Sequence, residues 1–367
     1  MKVLHVITGL AAGGAESQLE LLLRHTRHAA EVVTLYNFGS VGHRIAARGV
    51  RVYDLGMRGN RQFHSIFRLA RIMRKGVYDV AHLHLYRACL YGRVAARLAG
   101  IPVVVTTEHS LGETLIEGRR KTFPIRLLYL ATEPLSSATV AVSPKVRKLL
   151  VAWGVPEAKI RVIPNGLDSE RFAFDLQARK LIRREFGIPE DGFVLGSVGR
   201  LHASKRYDHL LKAATPLLRG GVWLLLVGDG PERLRLAQLA QEIGAAHRLV
   251  FAGERDDVPR LLSAIDLFLS PSEEETFGLA ILEAVASGLR VVAAECPALD
   301  GAGIKGVRLV SADIPSLSRA LLEERSLGPG PRRAQSFPER YDIRTVAGAV
   351  DTLYESLLFA RGHQSEL

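Results

Sequence analysis

Short runs of apolar, β-branched residues alternate along the chain with longer stretches in which apolar residues recur every three or four positions. The runs Val3–Thr8, Glu31–Tyr36, Val50–Leu55, Asp79–His84, Val103–His109, Thr139–Ser143 and Arg161–Pro164 predict strands in the first half. Phe193–Val198, Trp223–Val227, Leu249–Ala252, Leu267–Ser270 and Arg290–Ala294 predict strands in the second. Between them lie helical spacings such as Glu16–His25 and His64–Arg74. Most of these strands are apolar throughout rather than alternating, the mark of a parallel sheet covered on both faces. Twelve or so are too many for one twisted open sheet and too many for an eight-stranded barrel, which predicts two doubly wound α/β domains. The boundary falls after the turn-rich Pro164-Asn165-Gly166-Leu167-Asp168, dividing the chain into 1–168 and 169–344. The tail, 345–360, reads as an amphipathic helix with Val346, Val350, Leu353, Leu357 and Leu358 on one side.

Length and composition agree with this picture. The 367 residues are 47% hydrophobic and 24% charged, enough to bury two cores, which excludes a disordered chain. No apolar run approaches the roughly 20 residues of a membrane-spanning helix. The opening residues lack a signal peptide's apolar region and cleavage site, and Cys89 and Cys296 are far apart with no metal-like spacing. A cytoplasmic protein is the simplest expectation. Charge changes the picture more. Residues 1–160 hold 23 basic and 10 acidic side chains, a net of +13; the remainder holds 26 and 28, a net of −2. A basic first half calls for an anionic partner: nucleic acid, a membrane surface or a phosphorylated substrate.

Candidate chemistry sits where strands end. Gly13, Gly14 and Glu16 follow the first strand and open a helix, a place that favours an anion. Neither the dinucleotide fingerprint nor the Walker pattern is present, which disfavours a nicotinamide oxidoreductase. Arg200 and Lys205 follow the first strand of the second half, where open α/β sheets bind ligands, and two cations there suit a diphosphate. Gly228-Asp229-Gly230-Pro231 is a second glycine turn, with a helix expected from Pro231. In Ser270–Ala284, Glu275 stands ahead of a helix expected near Thr276, and Glu283 stands two turns inside it among Ile281, Leu282, Ala284 and Val285. A carboxylate in so apolar a helix is costly unless something hydrogen-bonds it, and ligand hydroxyls would. The amides of Phe277, Gly278 and Leu279 would face an anion or hydroxyls. His109 ends a strand. His82 and His84 share one strand but lack a third metal ligand in sequence, and read as structural.

Arg58–Lys75 is basic and amphipathic. Phe63, Ile66, Phe67, Ala70 and Met73 form its apolar stripe, and Arg61, Arg68, Arg71, Arg74 and Lys75 lie mostly off it. An ordinary sheet-covering helix explains it, and docking to anionic headgroups is the functional alternative. Arg119, Arg120 and Lys121 would add to that patch or bind an acceptor phosphate.

Together these motifs resemble family 4 retaining glycosyltransferases of the GT-B fold. Gly13–Glu16, Thr106–His109, Pro164–Asp168, Gly199-Arg200 with Lys205, Gly228–Pro231, Phe251–Gly253 and Pro271–Ser287, including Glu275-x7-Glu283, occur in that family's order. The resemblance implies two Rossmann-like domains facing across a cleft. The acceptor would bind the first domain and a nucleotide sugar, of UDP or GDP type, the second. The tail helix would pack back on the first domain. It implies that Arg200 and Lys205 bind the donor diphosphate with Gly14 approaching it, that Glu283 holds ribose hydroxyls, that Glu275 and the Phe277–Leu279 backbone hold the sugar, and that His109 contacts a sugar hydroxyl. The expected activity is retaining sugar transfer to a hydroxyl acceptor of polysaccharide, glycolipid or natural-product biosynthesis. No cofactor is expected and, with no acidic D-x-D pair, no metal; a peripheral site on the inner membrane face would suit a lipid-linked acceptor. The chain departs from the family pattern after Gly288, where Leu289-Arg290 replace a frequent proline and Glu295–Asp300 replace a Gly-Gly and glutamate segment. The alternatives are a sugar-nucleotide epimerase on the same fold and a basic nucleic-acid-binding protein. The latter lacks stacking aromatics and leaves Glu275 and Glu283 unexplained, so no nucleic-acid partner is expected.

Overall fold

The structure, a computed structural model, describes residues 1–59, 62–332 and 337–364. It divides into two compact units, Met1–Gly166 with Glu339–Leu367, and Leu167–Pro338.

The first unit is built on seven parallel strands: β1 (Lys2–Ile7), β2 (Ala29–Thr34), β3 (Val52–Asp54), β4 (Val80–His84), β5 (Val103–Glu108), β8 (Ala138–Ala141) and β9 (Ile160–Val162). Between β5 and β8 lies a two-stranded hairpin, β6 (Leu115–Ile116) and β7 (Arg119–Arg120), which is too short to be read from residue periodicity. The sheet order is β3-β2-β1-β4-β5-β8-β9. The chain starts at the centre, winds to one edge, then returns to β4 and winds to the other. The topological switch point therefore lies between β1 and β4, and such sheets bind ligands at the strands' carboxyl ends beside it.

The tail helix, Ile343–Gln364, belongs to this unit. Its Ala347, Val350, Leu353 and Tyr354 join Val3, Val80, Val103 and Val105 in one buried cluster, which explains the apolar side of an otherwise polar tail. At the unit's other end the Gln18 side chain exchanges two hydrogen bonds with the backbone of Gly166, at 2.9 and 2.8 Å. These fasten the Pro164–Gly166 turn to the first helix.

The second unit repeats the plan with β10 (Val194–Val198), β11 (Trp223–Val227), β12 (Leu249–Gly253), β13 (Leu267–Ser270), β14 (Arg290–Ala293) and β15 (Val307–Leu309), in the order β12-β11-β10-β13-β14-β15. Here the switch point lies between β10 and β13. The edge strand β15 has no counterpart in the apolar pattern, because its three residues include Arg308 and lie only partly buried or exposed. At the amino ends of the two central strands Asp266 accepts a bond from the Val194 N–H at 2.8 Å and pairs with the buried Arg183 at 2.7 Å. That network holds β10 and β13 in register beneath the site. No described helix is long and apolar enough to cross a membrane.

Candidate active site

In the second unit the two motif-bearing loops leave adjacent strands. The loop after β10 carries Arg200 and Lys205; the loop after β13 carries Glu273–Leu279. The Lys205 ammonium pairs with the Glu275 carboxylate, joining them. Burial works against the charge on Lys205, but the Glu275 carboxylate and Tyr207 outweigh it and hold the ammonium above its usual range. Arg200 is exposed and has no partner side chain among the described residues.

The backbone around Glu275 is held by the segment that departs from the family pattern. The Glu275 N–H donates to the Glu295 carboxylate at 3.0 Å, and the Ala298 N–H donates to the Phe277 carbonyl at 3.0 Å. Gly278 caps the next helix with φ of +99°, and a Cβ there would come 2.6 Å from Cys296 Sγ. A left-handed cap pressed on a neighbouring loop admits only glycine without strain. The helix itself runs Leu279–Ala286, three residues later than the pattern suggests, because Thr276–Gly278 are spent on this turn. Glu283 therefore lies little more than one turn in, not two. Its carboxyl is pushed up to about 7 by burial, which the exposed Arg171 opposes only in part. It meets no hydrogen-bond partner among the described residues.

Gly228 also lies after a strand, in contact with the first loop. Its φ is +126°, and a Cβ would fall 2.2 Å from the Gly199 carbonyl oxygen. The glycine is thus required by the close passage of two loops. The helix expected from Pro231 begins at Arg233.

The remaining candidates lie in the first unit. Gly13 and Gly14 stand at the start of the helix Gly14–Leu23, and the Glu16 carboxylate folds back over Gly13, complementing the positive end of that helix. Arg119 and Arg120 are exposed on the hairpin, whereas Lys121 is tied by its ammonium to the Gly112 carbonyl at 2.8 Å. On the helix His64–Gly76 the buried face is Ser65, Leu69, Ala70 and Met73, while Phe63 and Phe67 are 66% and 68% exposed. The expected apolar stripe is thus split. Phe63 and Phe67 lie two and one turns from Ala70 on its outer flank, beside exposed Arg68, Arg71, Arg74 and Lys75. Arg61 lies outside the described residues.

His109 belongs to a buried histidine group that its sequence neighbours do not reveal. His5 on β1 brings Nδ1 to 3.0 Å from His84 Nε2, and His84 Nδ1 lies 3.2 Å from His109 Nε2. Burial lowers all of them: His5 and His109 to about 4, His82 and His84 well below the usual value. Each neutral ring has one N–H to give, so the two bonds of the row run in one direction. His5 is the third partner that His82 and His84 lack in sequence, their ligand atoms lying within 4.8 Å of one another. Yet both nitrogens of His82 are taken by Tyr354 and Thr107, at 2.5 and 2.6 Å, and both of His84 by the other histidines. The group is closed by its own hydrogen bonds, as a structural cluster is. His109 is further engaged by the Asn165 side chain.

Beside these cations at one strand end and the buried carboxylate one turn into the neighbouring helix stand the sequence relationships. Residues 12–171 match glycosyltransferase family 4, and residues 178–311 match glycosyl transferases group 1. The chain belongs to the family 4 glycosyltransferases. It is 31% identical over 231 residues to a UDP-Gal:α-D-GlcNAc-diphosphoundecaprenol α-1,3-galactosyltransferase of Escherichia coli, covering 61% of this chain and 60% of that one. It is 29% identical over 299 residues to the putative glycosyltransferase EpsF of Bacillus subtilis, covering 78% and 77%. It is 32% identical over 252 residues to a D-inositol 3-phosphate glycosyltransferase of Acidothermus cellulolyticus, covering 63% and 55%. The first and third of these are thus matched over less than two thirds of their length. Among solved structures, HepE of Anabaena in complex with UDP and glucose superposes with a TM-score of 0.77 at 21% identity over 100% of both chains. A UDP-GlcNAc 2-epimerase of Methanocaldococcus jannaschii superposes at 0.62 and 15%, covering 97% of this chain and 100% of that one. These likenesses establish the GT-B fold. Because the fold also carries an epimerase, it is the sequence families that separate the glycosyltransferase from that alternative.

Proposed function

We propose that this glycosyltransferase moves a sugar from a nucleoside diphosphate, of UDP or GDP type, to an acceptor hydroxyl, with retention at the anomeric carbon and without a metal ion. The observation that carries the reading is the set Arg200, Lys205, Glu275 and Glu283 on two loops and a helix at one switch point. The chemical demand of the reaction is negative charge developing on the leaving diphosphate. Lys205, Arg200 and the first N–H groups of the helix Leu279–Ala286, which have no intrahelical acceptor, answer that demand without reorganising. A diphosphate leaves without a general acid, so paired carboxylates in the manner of glycoside hydrolysis are not required. Glu275 and the Phe277–Leu279 backbone then hold the sugar, and Glu283 accepts from ribose hydroxyls. For retention the acceptor attacks from the leaving-group face, and a phosphate oxygen takes its proton.

The test is turnover of UDP-glucose, UDP-galactose and GDP-mannose in excess chelator, with the product's anomeric configuration read by proton NMR. Full activity and an α-linked product from an α-linked donor are expected. Abolition by chelator with rescue by magnesium, or an inverted product, would contradict the reading. Epimerisation of the donor without an acceptor would favour the epimerase.

The acceptor side is proposed to meet an anionic membrane surface, in keeping with a peripheral site on the inner face. Phe63 and Phe67 supply apolar contact, and Arg68 and Arg71 headgroup contact. The protein should sediment with phosphatidylglycerol vesicles at low salt and be released by high salt. Failure to sediment at low salt would leave a soluble acceptor.

A further inference from the structure

Native interiors leave few polar groups without partners, since each unmade bond costs about 1–3 kcal/mol. In the first unit several such atoms gather in one place. Thr8 Oγ1, Arg87 Nε, Ser110 Oγ and both carboxylate oxygens of Glu117 are buried without a well-formed hydrogen bond. They come from separate segments. Thr8 directly follows β1, Arg87 lies three residues beyond β4, and Ser110 and Glu117 follow β5. The Arg87 guanidinium is 3.4 Å from the Glu117 carboxylate and stacks over Tyr36, just beyond β2, at 5.3 Å. The Thr8 hydroxyl stands beside the same carboxylate, and the Glu117 N–H donates to the Ser110 carbonyl at 3.2 Å. The group thus occupies the carboxyl ends of β1 and β4, the switch point of the first sheet.

The cluster is held there against resistance. Glu117 has φ of +50°, a left-handed conformation uncommon for a residue with a side chain. Burial raises its carboxyl above the ordinary range, and Arg87, Thr8 and Arg119 offset this only in part. Strain and unmet bonds together mark a place completed by a ligand rather than by the fold. The donors and acceptors fit a ring bearing several hydroxyls, because hydroxyls both give to a carboxylate and take from a guanidinium. The surrounding charge adds a second requirement. Arg87 and Arg119 both act on the Glu117 carboxylate, while the nearby Glu108 is answered by Arg93 and Tyr129 and Glu113 reaches out to Lys145. A neutral polyol would leave that excess unanswered.

We propose that Thr8, Arg87, Ser110 and Glu117 form the acceptor subsite of this enzyme, and that it takes a polyhydroxylated ring carrying a phosphoester. Glu117, Thr8 and Ser110 hold ring hydroxyls; Arg87 and Arg119 hold the phosphate. The inference rests on the transferase reading and names its acceptor chemistry.

Calorimetry on the full chain saturated with UDP tests it, with N-acetylglucosamine 1-phosphate and inositol 3-phosphate as probes. Free N-acetylglucosamine, free inositol and inorganic phosphate are the controls, and farnesyl-diphospho-N-acetylglucosamine in vesicles is the lipid-linked arm. The ring phosphates should bind at least about tenfold more tightly than either the free rings or inorganic phosphate. Glu117→Gln and Arg87→Met should each weaken that binding about tenfold, with UDP affinity unmoved, and Ser110→Ala repeats the test without touching a charge. Tighter binding of the farnesyl form names a lipid-linked source, and equal binding a soluble one. Ring phosphates that bind no better than inorganic phosphate, or binding unchanged in all three variants, would overturn the assignment while leaving the donor site intact. A protein that fails to bind UDP at all would instead overturn the transferase reading.

Discussion

Lys205→Ala lowers turnover by about 10²–10³-fold, the scale for removing one pre-organised charge contact. Lys205 stands half-buried at the carboxyl end of β10 and its ammonium is kept protonated by Glu275. On the proposed reading it meets the diphosphate already charged and already placed. The loss has two parts. The cation that favours departure of the diphosphate disappears, and the Glu275 carboxylate loses its partner beside an anionic group. Both act on the step in which charge develops, so kcat should fall more than KM rises. Arg200→Ala loses a contact of similar size, but Arg200 is exposed and pairs with no side chain among the described residues. Its removal should divide more evenly between kcat and KM. Single-turnover measurement separates the two. Turnover by Lys205→Ala within a few-fold of the unsubstituted enzyme would remove Lys205 from the chemistry.

Glu283→Gln weakens nucleotide binding about 10–100-fold at pH 8, the equivalent of about 1.5–3 kcal/mol for hydrogen bonds to a charged group. At the same pH it makes the free protein more stable. The two effects share one cause. Burial raises the Glu283 carboxyl from an ordinary 4.5 to about 7 in the folded chain. Between these values the folded state holds a proton that the unfolded state has released, so stability falls as pH rises from about 4.5 through 7 and then levels off. Glutamine carries no such proton, so Glu283's share of the slope should vanish and leave that of Glu108, whose carboxyl burial also raises to about 7. Nucleotide affinity runs the other way. The ionised carboxylate is the better acceptor for ribose hydroxyls, so UDP should bind more tightly at pH 8 than at pH 6, and Glu283→Gln should flatten that dependence. Thermal melts and calorimetry at three pH values check both. A stability profile unaltered by the substitution would show that Glu283 carries no burial penalty.

How much of this is legible in sequence depends on how local each feature is. The central strands were readable because residues buried on both sheet faces are apolar one after another, as in Val103–Val105 or Leu224–Val227. β15 was not, since three residues around Arg308 give no period, and neither was the β6–β7 hairpin of two residues a side. Glu275 and Glu283 stood out because the cost of a carboxylate among alanine, valine and leucine is visible in the string itself. The exact start of their helix was not, because the Gly278 turn is set by contact with Cys296, eighteen residues on. The exposure of Phe63 and Phe67 escaped for a related reason: a stripe shows which residues share a side, but only the sheet beneath shows how far that side is turned inward. His5 joins His84 across two strands, and Arg87 at the start of a helix joins Glu117 in the hairpin turn. Neither pairing has a spacing to find. The Glu295 segment looked like a departure from the family pattern and proves to be a brace for the Glu275 backbone.

The most direct test of the central claim is a co-crystal structure with a non-hydrolysable nucleoside diphosphate sugar. The account predicts the diphosphate against Arg200 and Lys205, the ribose on Glu283 and the sugar on Glu275. A donor seated elsewhere, with those four side chains unchanged from their ligand-free contacts, would contradict it.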